Sequence, residues 1–90
     1  MESWLIESSK ILEKARNLSE EEKKVFRYFL ENISVGDLRA IMELNRKGIK
    51  SPSSIIETLV SNGLLERGNY CYSLPYHLRI YVSIQGTPTI

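Results

Sequence analysis

Ninety residues make a single domain, with no room for a second hydrophobic core. Apolar residues at 42% and charged ones at 26% describe an ordinary globular chain rather than a disordered one. No apolar run approaches the roughly 20 residues that span a bilayer, and the acidic start is not a signal peptide, so a cytoplasmic protein is expected.

The net charge is +1, but it is unevenly placed. Residues 1–43 carry seven Lys/Arg against nine Asp/Glu, whereas residues 44–90 carry five against two. Cys71 is the only cysteine, which excludes an intramolecular disulfide and a thiolate zinc site. His77 is the only histidine and has no cysteine or paired carboxylates near it in sequence. The five glycines are scattered at element ends rather than gathered into a phosphate loop. The chain is therefore not expected to be an enzyme, and no catalytic residue, metal site or cofactor is indicated.

Residues 3–17 are predicted to form a first helix capped by Ser3. Trp4, Ser8, Ile11, Ala15 and Leu18 recur at alternating four- and three-residue spacing, with Leu5 and Leu12 beside them. This stripe can lie on its own domain, or Trp4, Leu5, Ile11 and Leu12 can meet a partner, including the same helix of a homodimer. Residues 1–18 are set apart as this N-terminal helix.

Ser19-Glu20-Glu21-Glu22 is a capping box: the serine hydroxyl accepts from one amide of the first turn while Glu22 reaches back. The helix it opens buries Val25, Phe26, Phe29, Leu30 and Ile33. Ser34-Val35-Gly36 breaks the pattern. A third helix from Asp37 is expected to turn Leu38, Ile41 and Met42 inward and to end near Arg46-Lys47-Gly48, with Ile49 as a one-residue strand joining the next β-element. Ser51 is read as the cap of a fourth helix over 52–62, with Pro52 at its first position and Ile55, Ile56, Leu59 and Val60 on its apolar face. Asn62-Gly63 stops it. A short hairpin follows: Leu64-Leu65-Glu66, a turn at Arg67-Gly68-Asn69, then Tyr70 to Leu74. Tyr70 and Tyr72 are placed on one face with Leu74, in the core. Residues 76–84 are ambiguous: Leu78, Ile80, Val82 and Ile84 alternate as in a strand, and Tyr76, Ile80 and Ile84 have helical spacing. The β-branched content tips the reading to an extended segment. Residues 85–90 are expected to be a flexible tail.

The order helix, helix, short linker, helix, hairpin from Leu18 to Leu74 resembles the winged helix-turn-helix family. Its most specific string is Leu59-Val60-Ser61-Asn62-Gly63-Leu64-Leu65-Glu66-Arg67, and the opening Leu18-Ser19-Glu20-Glu21-Glu22-Lys23-Lys24-Val25 is also similar. The resemblance implies a mainly α fold with a small β-hairpin wing, built over 19–84, with the N-terminal helix as an addition. It also implies a small DNA-binding protein, a transcription regulator contacting duplex DNA through helix 52–62 and the wing at 66–70. Carried onto this chain, Ser53, Ser54, Glu57, Thr58 and Ser61 would face the groove. Arg67, Gly68 and Asn69 would form the wing tip, and Arg46, Lys47 and Lys50 would reach phosphates. Such a protein would be nucleoid-associated. The helix face, however, has no Arg, Lys, Asn or Gln before Asn62, the side chains that read bases in pairs of bonds. The alternative is a protein-interaction module, an accessory subunit of a larger replication or transcription assembly built around a nucleic-acid enzyme. Exposed tyrosines among Tyr70, Tyr72, Tyr76 and Tyr81 would serve such an interface.

Overall fold

The computed structural model describes residues 2–90. Five helices and three short strands follow one another: α1 (Ser3–Arg16), α2 (Glu20–Asn32), β1 (Ser34–Gly36), α3 (Asp37–Arg46), α4 (Pro52–Ser61), β2 (Glu66–Gly68), β3 (Cys71–Ser73) and α5 (Tyr76–Gln85). This is a mainly helical, winged-helix-like fold with an extra N-terminal helix. None of the helices is long and apolar enough to cross a membrane, among the described residues.

The start of α2 is the capping box expected. Ser19 Oγ accepts from the Glu22 amide at 3.2 Å, and Glu22 Oε1 accepts from the Ser19 amide at 2.9 Å. From α2, Val25, Phe26, Phe29 and Leu30 are buried, and they meet Ala40 and Leu44 of α3 and Ile56 and Leu59 of α4. Gly63 closes α4 at φ +77°, where the Leu64 amide returns to the Leu59 carbonyl at 2.9 Å. Leu64 and Leu65 then enter the core. One turn of glycine chemistry thus links the end of α4 to the hairpin.

The sheet departs from expectation in its third strand. Its order is β1-β3-β2, with Val35 opposite Tyr72 and Arg67 opposite Tyr72 on the other side. Ser34-Val35-Gly36 therefore does more than interrupt the helices: it supplies the third strand, in the place expected of Ile49. Ile49 is buried as a side chain without pairing. The lead into β1 passes through Ile33 at φ 68° and ψ −60°, a γ-turn-like conformation unusual for a β-branched residue. The Leu74 amide holds it by donating to the Ile33 carbonyl at 2.9 Å.

That pairing also sets the rotation of α3. The Asp37 amide donates to the Tyr70 carbonyl at 2.9 Å, which fixes the first turn against the wing. The inward positions become Ala40 and Leu44, with Ile41 partly buried, while Leu38 (78% exposed) and Met42 (51%) point to solvent. The expectation that these two were core residues is corrected. Tyr70 is corrected likewise: it sits in the turn at φ 59°, outside the three-residue strand, and is 86% exposed. Tyr72 alone of that pair is buried, edge-on to Phe29.

Two helix caps also differ. Glu2, not Ser3, precedes α1, and Ser51 adopts a left-handed conformation in which its side chain caps nothing. There the Ser54 and Ile55 amides bond to the Ser51 carbonyl instead. Pro52 does occupy the first turn and is buried.

Residues 76–85 form a helix rather than an extended segment. It runs antiparallel to α1: Trp4 meets Tyr81 edge-on at 6.2 Å, and the Ser8 hydroxyl donates to the His77 carbonyl at 3.0 Å. Leu78, Tyr81 and Val82 turn inward, and Ser8, Leu12 and Ala15 are buried on the facing helix. Tertiary packing on α1 overrides the β-branched propensity of this stretch. Beyond it, Thr87 to Ile90 lie along α2 beside Arg27, Leu30 and Glu31, and Ile90 packs on the core.

Candidate interaction surfaces

The α4–wing face was the first candidate. Ser53, Ser54, Thr58 and Ser61 are exposed on α4, as the helical spacing requires. Thr58 Oγ1 donates back to the Ser54 carbonyl at 3.1 Å, so part of its hydrogen-bonding capacity is used within the helix. Glu57, on the same helix, pairs with Arg67 of β2 and accepts from the Tyr72 hydroxyl at 3.1 Å. The Arg67 guanidinium also stands 5.9 Å from the centre of the Tyr72 ring. Burial, together with the Glu57 carboxylate, raises the Tyr72 pKa. The basic residue expected at the wing tip therefore latches the wing to α4. At Gly68 beside it, a Cβ would come within 2.9 Å of Cys71 Sγ, so a larger residue there requires the thiol to turn aside. Asn69 is exposed in the turn.

The phosphate-reaching residues lie elsewhere. Arg46, Lys47 and Lys50 are exposed around the α3–α4 turn, and Lys47 Nζ sits 5.1 Å over the Tyr28 ring. Below it, the Tyr28 hydroxyl donates to Glu43, whose other oxygen faces Arg39 Nε at 3.3 Å. Burial and this carboxylate push the Tyr28 pKa up to about 12, while the Tyr28 bond and Arg39 hold Glu43 below the usual glutamate range.

The residues offered for a second chain are largely occupied within this one. Leu12 is buried, Ile11 packs on the core, and Trp4 and Leu5 are half-buried on the α1–α5 side.

Among the described residues two apolar surfaces stand open; each carries one of the tyrosines offered for an interface, Tyr76 on α5 and Tyr70 on the wing, and neither lies on the exposed face of α4. On α5, Tyr76, Ile80 and Ile84 line a shallow depression with Arg79 and Ser83. Their spacing of four residues is visible in the sequence, but its direction depends on α5 being a helix. On the wing side, Leu38 and Met42, one turn apart on α3, adjoin the turn bearing Tyr70 through the Asp37–Tyr70 backbone bond. Exposed large apolar side chains gathered in one place are the usual mark of a binding surface.

The family model described as PolB1 Binding Protein 2 matches residues 19–80. The chain belongs to that family. The matched stretch takes in the whole winged core, including the Leu38–Met42–Tyr70 surface. It leaves out α1 and the C-terminal half of α5, so the PolB1 Binding Protein 2 signature and the α1–α5 layer overlap only in part. No curated protein matches the chain.

Proposed function

We propose that this chain is a protein-interaction module, an accessory subunit that docks on the DNA polymerase PolB1 through the α3–wing surface. The observation that carries the proposal is the exposure of Leu38 and Met42 on α3 and of Tyr70 on the turn bonded to the start of α3, all within the segment that defines the family. Met and Tyr are enriched at the centres of protein interfaces. Covering three such side chains is worth on the order of 5–8 kcal/mol gross, before the costs of association.

The transcription-regulator reading has less behind it. The wing arginine is bound to Glu57, and the α4 face carries hydroxyls where base-reading amides or guanidinium groups would be needed. A DNA-steering role for helix 52–62 is not part of this proposal, and neither is catalysis by the chain itself.

The experiment is titration calorimetry of the purified protein with purified PolB1. Binding is expected, and Leu38→Glu and Tyr70→Ala should each weaken it at least tenfold while leaving the melting temperature within a few degrees. Ile84→Glu, on the α5 surface, should leave it unchanged. Failure of the unmodified chain to bind PolB1 overturns the reading. Loss of binding in Ile84→Glu alone would keep the partner and move the surface.

A further inference from the structure

A second surface lies between α2 and the turn after α3. Lys24, Arg27 and Glu31 of α2 face Lys47 across an open groove of about 190 Å³, floored by Tyr28 and Leu44. Positions 24, 27 and 31 fall on one helix face, so the two α2 cations and Glu31 are brought there by helical geometry. Lys47 is held by the Tyr28 ring rather than left to swing freely.

What distinguishes these cations is that they share one groove, each without a carboxylate partner among the described residues; Lys14 and Arg16, also without one, stand apart on α1. Lys10, Lys23, Arg39, Arg67 and Arg79 each have a carboxylate within 4.0 Å. Lys24, Arg27 and Lys47 have none among the described residues, nor do Arg46 and Lys50, exposed in the same α3–α4 turn as Lys47. Three cations against one carboxylate in a groove repel one another and gain from an anion placed between them. The Tyr28 ring beneath them is only 4% exposed, so no aromatic platform is presented for stacking a base. The recognition available is of charge and not of sequence.

We infer that this groove holds the phosphate backbone of DNA, contacted without sequence preference. That the anion is DNA rather than another polyanion rests on the reading above, in which the chain sits on a DNA polymerase. The contact is distinct from the α4 face: it uses α2 and the α3–α4 turn, leaving Ser53, Ser54 and Thr58 free. With three phosphates neutralised, the logarithm of the binding constant should fall with the logarithm of salt with a slope of about −2.7.

The test is fluorescence anisotropy of a labelled primer–template duplex titrated with the purified chain over a salt series. Binding with that slope is expected at low salt, at least tenfold weaker in the Lys24→Glu, Arg27→Glu, Lys47→Glu triple variant and unaltered in Ser54→Glu, Thr58→Glu. In the unmodified protein, amide NMR shifts on adding the duplex should centre on residues 24–31 and 47, a readout that does not depend on the variant folding. Absence of binding at low salt, or losses and shifts confined to α4, overturns the inference. Displacement of the duplex by an equal concentration of inorganic phosphate would mark a small-anion site and overturn the assignment to DNA. The triple variant should still bind PolB1, which keeps failure of this inference apart from failure of the docking proposal.

Discussion

Leu78 and Ile84 separate the two conformations that the C-terminal stretch allows. In an alternating strand both would project from one face, together with Ile80 and Val82, and truncating either would have a similar effect. In α5 they diverge: Leu78 is fully buried, whereas Ile84 is 61% exposed. Leu78→Ala removes a core side chain on the α1-facing side of α5, which costs about 2–5 kcal/mol, the upper end applying if the gap cannot close. For a domain of this size each kcal/mol is about 4–8 °C of melting temperature, so a fall on the order of 8–40 °C is expected. Ile84→Ala should stay within about 0.5 kcal/mol. Circular dichroism during thermal and urea unfolding measures both, with the urea slope checking that the transition remains two-state. Equal destabilisation by the two substitutions would refute the helical placement and, with it, the α1–α5 contact.

Three further outcomes follow from named contacts. The Glu57–Arg67 pair is about half exposed on both sides, so a double-mutant cycle with Glu57→Gln and Arg67→Ala should give a coupling below about 1 kcal/mol, declining in high salt; a coupling of several kcal/mol would contradict a solvent-facing latch. Ser19→Ala removes one half of the capping box and should lower stability by about 1 kcal/mol in urea unfolding, with no change in PolB1 binding. The Tyr28–Glu43 bond gives a pH signature when the wild type is compared with Tyr28→Phe by urea unfolding across pH. Tyr28 has its pKa raised from 10.0 to about 12, so its contribution is complete below pH 10 and fades as pH climbs through 12; Glu43 is lowered, so its share is complete above the ordinary glutamate value and fades as pH falls through the depressed one. A wild-type advantage that is flat from acid to pH 12 would show that the two groups are uncoupled.

Local signals in the sequence were sufficient wherever the chemistry itself was local. The Ser19–Glu22 box and the Gly63 stop are set by residues three or four apart, and both stand in the structure as they read in the chain. The core of α2 follows from its spacing alone. Readings failed where a distant partner decides. Nothing near Leu38 announces that Gly36 pairs with Cys71 and thereby rotates α3 outward at 38 and 42. Nothing near Ile80 says that α1 will lie against the opposite side of its helix. Arg67 looked like a wing-tip cation because its carboxylate, Glu57, belongs to another element. The proposed docking surface was the least legible part, since it consists of apolar side chains that the fold leaves uncovered, and the spacing of Leu38 and Met42 in the sequence is the same as that of core residues.

The Ser8–His77 bond joins residues 69 apart in the chain, and it lies in the seam where α1 meets α5. Such a seam can close only after the intervening winged core has brought its two sides together, so it forms late in folding and opens first. Amide hydrogen exchange should therefore divide the molecule in two: slow through α2 and α4, and markedly faster in α1 and α5. A domain built this way can lose its outer pair of helices for a moment without dissolving the surface formed by α3 and the wing.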